Sequence, residues 1–188
     1  MNISSVKTFK KLGKAFLSNA NPNKKWDIEF EPIEKSILTN PSGRVYCIVV
    51  NGKVYKIGGS ICKGGIKKTF TTYRDLGLTG KPSIRTYGIH LLIEDELKRG
   101  NDVEFYWLSS NKVVTKVPGL HGYNTEEVSI DFKRIEQKCI SEYIKREGSA
   151  PQWNFQENHV SWPIEISEGL NTLLRKTTKR AKTNLKDV

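Results

Sequence analysis

Between residues 44 and 60 the chain is dominated by β-rich runs. Val45-Tyr46-Cys47-Ile48-Val49-Val50 and Lys53-Val54-Tyr55-Lys56-Ile57 flank the dipeptide Asn51-Gly52. Asn-Gly between two such runs is the strongest short-range hairpin signal, because both turn residues must adopt positive φ. The loop Thr39-Asn40-Pro41-Ser42-Gly43 precedes this hairpin, and the pairs Gly58-Gly59 and Gly64-Gly65 bracket the loop after it. Helical spacing then takes over. A short helix is expected over residues 66–75, with Phe70 and Tyr73. A second begins at Pro82-Ser83, with Ser83 as its cap, and runs through Arg85, Ile89, Leu92, Ile93 and Leu97 to Gly100. Residues 102–108 (DVEFYWL) alternate as a strand, and residues 109–127, with Asn111-Lys112, Pro118-Gly119 and Gly122, read as a hairpin and loop excursion. Phe132, Ile135, Cys139, Ile140, Tyr143 and Ile144 fall on one helical face, giving a helix that ends near Gly148, just before Pro151-Gln152-Trp153-Asn154. At the N-terminus, Val6, Phe9, Leu12 and Phe16 recur at helix-like intervals beside lysines, with Gly13 among them.

The resulting order of hairpin, helix, helix, strand and helix predicts an α+β fold, a small antiparallel three-stranded sheet flanked by helices. The 188 residues suit one core with appendages. We place that core at residues 41–155, with a basic, helical N-terminal extension over 1–40 and a basic C-terminal extension over 156–188.

Charge adds a partner. The net charge of +11 is uneven: residues 1–25 hold six lysines (Lys24 and Lys25 included) and no acid, and the block 35–85 holds ten Lys or Arg against Asp75 alone. Such blocks suit a polyanion, since phosphate neutralisation releases counterions. Lys67, Lys68 and Lys81 from the central block, and Arg175, Lys176, Lys179 and Arg180 from the tail, are the expected DNA contacts. No run approaches the roughly 18 apolar residues of a membrane span, and the N-terminus lacks a signal-peptide pattern. The three cysteines, Cys47, Cys62 and Cys139, form neither a CxxC pair nor an even set, which fits a reducing cytoplasm.

Candidate chemistry emerges by elimination and then by position. Gly59 and Gly64 have P-loop spacing, but Gly65-Ile66 stand where Lys-Ser/Thr is required, so no nucleotide cofactor is expected. His90, His121 and His159 are scattered and read as surface or core residues. Tyr46 and Lys56 lie on paired strands, where the pleat can place both on one face; a neighbouring ammonium would then lower the phenol's pKa towards general-base use. Glu136 has Phe132, Cys139 and Ile140 as its helical neighbours and so borders the apolar face, unlike Glu142, which is flanked by Lys138, Lys145 and Arg146. A carboxylate near a core needs a partner, and a divalent ion is one.

Together these pieces resemble the GIY-YIG nucleases. Arg44-Val45-Tyr46 looks like the family's first motif and Lys56-Ile57-Gly58 like the second, in the variant form of its compact type II restriction enzymes. Lys133-Arg134-Ile135-Glu136 looks like the glutamate helix, and Pro151-Gln152-Trp153-Asn154 like the terminal Pro-x-x-Asn. The resemblance covers roughly residues 41–155 and implies a metal-dependent, site-specific endonuclease acting on double-stranded DNA as a homodimer. It implies Tyr46 as base, Lys56 as its tuner, Glu136 as the ligand of Mg²⁺ (Mn²⁺ as the alternative) and Asn154 in support. The chain departs from the pattern at Gly59, where relatives can carry histidine, and at the helix arginine. Arg85 is favoured for that role, with Tyr73 and Arg74 of the preceding helix as the other site residues. Two rivals stand beside this: a homing, repair or phage-type nuclease, and a non-catalytic nucleic-acid binder in which Tyr46, Trp107 and Trp153 stack or pack.

Overall fold

A computed structural model describes residues 1–18, 25–76, 81–108 and 112–184. The elements run in the order β1 (Phe9–Leu17), β2 (Trp26–Phe30), α1 (Lys35–Thr39), β3 (Arg44–Val50), β4 (Lys53–Ser60), α2 (Gly65–Arg74), α3 (Ile84–Lys98), β5 (Val103–Leu108), β6 (Lys112–Gly119), β7 (Gly122–Ser129), α4 (Phe132–Glu147) and α5 (Ile164–Asn184). The expected hairpin is β3–β4, and both turn residues have positive φ, 46° at Asn51 and 76° at Gly52. Ser83 caps α3 by accepting from the Thr86 N–H, Asp131 caps α4, and Gly148 ends α4 in the left-handed conformation.

The sheet has five strands, in the order β2-β1-β5-β3-β4, all antiparallel neighbours. The three-stranded expectation and the helical N-terminal extension are therefore corrected: residues 9–17 form a strand on β5, and β2 extends the sheet beyond it. The misleading spacing has a physical source. A bulge between Lys11 and Gly13 breaks the alternation of β1, leaving Leu12 and Gly13 both buried and bringing Leu12 and Ala15, three residues apart, into one core. Gly13 is required there, because a Cβ would run into the Glu29 carbonyl of β2. The segment containing Lys24 lies outside the described residues.

β3 is buried along its whole length because both sheet faces are covered. Tyr46, Ile48 and Val50 face α2 and α3, packing with Phe70, Ile89 and Phe105, whereas Val45, Cys47 and Val49 face Ile140 and Tyr143 of α4. Strand alternation thus sorts one sequence run into two cores. The 109–127 excursion forms the β6–β7 hairpin in its described part, with Leu120 at its tip 95 % exposed; residues 109–111 lie outside the described residues. α5, in the C-terminal extension, packs on α3, and its Ile166 and Leu170 are buried. No helix among the described residues is long and apolar enough to cross a membrane.

Candidate active site

Tyr46 and Lys56 do share a face. Tyr46 pairs with Gly58 and Ile48 with Lys56, and the register then steps to Val49 with Val54, which makes Tyr55 the extra residue of a bulge. Gly58 is the floor on which the phenol lies, since a Cβ there would sit 2.5 Å from Tyr46 Oη. Gly59 does the same for the opposite layer, where a Cβ would collide with Glu136 Oε2 and the Phe132 ring. The glycine pair therefore opens the edge strand, and Glu136 of α4 reaches past it into the space beside Tyr46. Gly58→Ala and Gly59→Ala should each displace one of these groups. We expect a loss of about 1–3 kcal/mol in urea denaturation for Gly58→Ala, because Tyr46 is enclosed by Phe70 and Tyr73. Wild-type stability in that variant would contradict the placement of the phenol.

Tyr46, Lys56, Arg85, Glu136 and Glu157 all line one cavity of about 260 Å³. Arg85, Glu136 and Glu157 also line an adjoining, more open cavity of about 560 Å³. Arg85 sits in the first turn of α3, as its cap at Ser83 dictates, and donates to Gln156 Oε1 at 3.1 Å. Arg74 is elsewhere: its Nη1 meets Asp27 at 2.7 Å and its Nε meets Asp75 at 2.6 Å, and these carboxylates push its pKa up. Tyr73 joins the site through a 2.6 Å hydrogen bond between its hydroxyl and that of Tyr46.

The electrostatics correct one expectation. Tyr46 is 2 % exposed, and burial, reinforced by Tyr73, raises its pKa well above the ordinary phenol value, with Arg85 pulling weakly the other way. Desolvation outweighs the Arg85 charge, so the phenol is not pre-ionised. Lys56 itself is the perturbed cation: burial first, then Arg85, lower it from 10.5 to about 8, while Glu157 and Glu136 oppose the shift. Its Nζ donates to the Trp153 carbonyl at 3.5 Å. Glu136 is raised by burial and by Glu157, and lowered by the Gly59 N–H, Lys56 and Arg85.

Asn154, given a supporting role by the resemblance, is bonded to the main chain of β4. It is buried, its Oδ1 accepts from the Ile57 N–H and its Nδ2 donates to the Ile57 carbonyl, both at 2.9 Å. With the Trp153 N–H on the Tyr55 carbonyl at 2.7 Å, this fastens residues 153–154 alongside β4 and fixes the carbonyl that holds Lys56. Glu157 escaped the sequence reading because it lies in an aperiodic turn; its place three residues beyond Asn154 is the signal that could have pointed to it.

Comparison with known proteins finds no matching family model and no matching curated protein. Among solved structures, the chain is similar to a mutant of bacteriophage T4 EndoII, at 21% identity over 81% of this chain and 95% of that one, with a TM-score of 0.45. It is similar also to the restriction endonuclease HPY188I in complex with product DNA, at 23% identity over 80% of this chain and 84% of that one, with a TM-score of 0.43. Both likenesses are loose, and the functional proposal rests on the side chains of the cavity.

The other expected contacts lie outside it. Lys67, Lys68, Lys81 and Arg175 are exposed, with Lys67 over the Phe30 ring at 5.6 Å; the side chains of Lys176, Lys179 and Arg180 lie outside the described residues. His90 is buried against Trp26 and bonded through Nδ1 to the Tyr73 carbonyl, while His121 and His159 are exposed. Among the described residues no three His, Cys, Asp or Glu side chains gather as a metal cage.

Proposed function

We propose that the protein is a metal-dependent endonuclease of the GIY-YIG type that hydrolyses phosphodiester bonds in double-stranded DNA, in the manner of a type II restriction enzyme. The observation that carries this reading is the convergence of Tyr46, Lys56, Arg85 and Glu136 in one cavity from four separate elements. A phenol, a lysine near neutrality, a guanidinium and a half-buried carboxylate are the groups that phosphodiester hydrolysis requires: proton acceptor, phosphate clamp and metal ligand.

Glu136 and Glu157 fit a Mg²⁺ ion, because the ion keeps most of its waters and takes only one or two protein carboxylates, and because burial, and after it the neighbouring Glu157, works against an unpaired charge on Glu136. When bound, Mg²⁺ (or Mn²⁺) would neutralise charge on the scissile phosphate. Arg85, at the rim of both cavities, clamps a non-bridging phosphate oxygen. Tyr46 orients the attacking water. As the water oxygen bonds to phosphorus and the phosphorus–ester oxygen bond breaks, the water's proton passes through the Tyr46 hydroxyl to neutral Lys56, which is available because its pKa lies near 8. The departing oxygen takes a proton from solvent to leave as a hydroxyl. Tyr73 positions Tyr46.

One set of Tyr46, Lys56, Arg85 and Glu136 per chain and two strands to cut favour a two-fold homodimer. The exposed β6–β7 hairpin and the basic tail are the elements left to supply grip or specificity. A homing, repair or phage-type nuclease would use the same cavity. The non-catalytic stacking alternative loses its side chains, since Trp107 and Trp153 are 4 % and 2 % exposed and belong to the core.

An end-labelled duplex incubated with the protein, with Mg²⁺ and then with a chelator, tests the proposal. Metal-dependent internal cleavage is expected, and binding without cleavage would overturn it. Arg85→Ala should lower single-turnover cleavage on the order of a hundred-fold, the size of one transition-state donor. Arg74→Ala should spare the chemical step and reduce stability instead, through its lost pairs with Asp27 and Asp75. The reverse pattern would move the role to Arg74.

A further inference from the structure

A second cavity, of about 340 Å³, is bounded by Lys10 and Lys11 of β1, Asn40, Ser42, Arg44 at the start of β3, and Trp107 of β5. None of the residues lining it is acidic. Arg44 is 5 % exposed. Its Nη2 donates to the Asn40 carbonyl and, at 3.4 Å, to Ser42 Oγ, while Nη1 is buried and has no hydrogen-bond partner among the described residues. The same holds for Nε1 of Trp107, and the Arg44 guanidinium lies over that indole at 5.8 Å from the ring centroid. No carboxylate forms an ion pair with Arg44 among the described residues, and burial lowers its pKa.

A guanidinium does not deprotonate in a protein, so this charge remains buried and uncompensated unless an anion meets it. Two buried donors without acceptors, on side chains of neighbouring strands that both line one cavity, ask for an oxyanion with several lone pairs. Lys11 is already held by Glu104 at 2.6 Å, but Lys10 is exposed and forms no ion pair among the described residues. The cavity is larger than one oxyanion, and Ile33, Ile37 and Leu108 give it an apolar wall. That combination suits a phosphate carried on an organic group.

We propose that this cavity is a phosphate-ester binding site, with Arg44 Nη1 and Trp107 Nε1 as buried donors and Lys10 as the ammonium at its mouth. Its ligand is the phosphate of a nucleotide unit, free or within a strand. Arg44 precedes Tyr46 by two positions on the same face, about 7 Å along the strand, and Trp107 is the cross-strand partner of Tyr46. This adjacency favours a backbone phosphate of the bound strand next to the one under attack. That choice of source rests on the nuclease proposal; the site itself does not.

The experiment is a calorimetric titration of the full chain with inorganic phosphate, with a deoxynucleoside 5′-monophosphate and with a short duplex over a range of salt, in metal-free buffer. Wild type should bind the monophosphate more tightly than inorganic phosphate. Arg44→Met and Trp107→Phe should each weaken it roughly ten-fold, the worth of one charge-assisted hydrogen bond. Lys10→Ala, at an exposed position that does not threaten folding, should weaken it in the same direction. No binding by wild type, or binding lost in Arg85→Ala but kept in Lys10→Ala, would overturn the site, the latter by placing the phosphate beside Tyr46. For the source, Lys10→Ala should reduce the slope of log affinity for duplex against log salt by about one. An unchanged slope with weakened monophosphate binding would overturn the strand assignment in favour of a free nucleotide. Duplex binding with these losses, but without cleavage once Mg²⁺ is added, would refute the nuclease reading and leave this one standing.

Discussion

Replacing Lys56 with methionine is expected to make the protein more stable at pH 7 and, at the same time, inactive. The amine's pKa is 10.5 in an ordinary setting and about 8 in the fold. The depressed value means that the folded state disfavours the ammonium: between about pH 8 and 10.5 the unfolded chain holds the proton and the folded chain has released it. The destabilisation is thus complete below about pH 8 and fades as pH climbs to 10.5. A fall of that size corresponds to roughly 3 kcal/mol. Losing the hydrogen bond to the Trp153 carbonyl takes back about 1 kcal/mol, so Lys56→Met should gain about 2 kcal/mol at pH 7. Urea denaturation at pH 7 and pH 10.5 checks this. The variant should lead at the lower pH and lose its lead at the higher, and a variant less stable at pH 7 would contradict the buried-ammonium account. Cleavage by wild type should rise with pH through about 8, as Lys56 becomes able to accept a proton, and Lys56→Met should lose both the activity and that limb.

Glu136→Gln should reduce single-turnover cleavage on the order of a thousand-fold, because it removes the carboxylate that would anchor the metal and leaves an amide in its place. Its fold should be intact. Burial and Glu157 both work against the charge on Glu136, so a neutral side chain is no worse for stability there. Tyr46→Phe should show a comparable loss, again in a folded protein that binds DNA. The phenyl ring keeps the packing against Phe70, and only the bond to the Tyr73 hydroxyl disappears. Retained cleavage in Glu136→Gln would remove the metal assignment; retained cleavage in Tyr46→Phe would shift the proton path to Lys56 alone.

The parts of this site that could be read in the sequence are those with local causes. Asn51-Gly52 dictates a hairpin through its own backbone preferences, Ser83 dictates the start of α3 through one capping bond, and Glu136 is marked by residues three and four positions away. What could not be read has distant causes. β1 joins the sheet through pairing with β5, some ninety residues later, and the bulge that accommodates it mimics helical spacing. Arg74 is paired with Asp27, 47 residues earlier in the chain. The raised pKa of Tyr46 follows from the depth of the sheet face, which no spacing of charges along the strand reveals. Asn154 bonds to main-chain atoms of Ile57, and a main-chain partner leaves no trace in side-chain identity.

The central claim is that the cavity joining Tyr46, Lys56, Arg85 and Glu136 cuts DNA. Supercoiled plasmid incubated with wild type and with Glu136→Gln, each with Mg²⁺ and with chelator, tests it most directly. The account predicts linear or fragmented plasmid in the wild-type reaction with Mg²⁺ only. Plasmid that stays supercoiled there, or that is cut equally by Glu136→Gln, would contradict it.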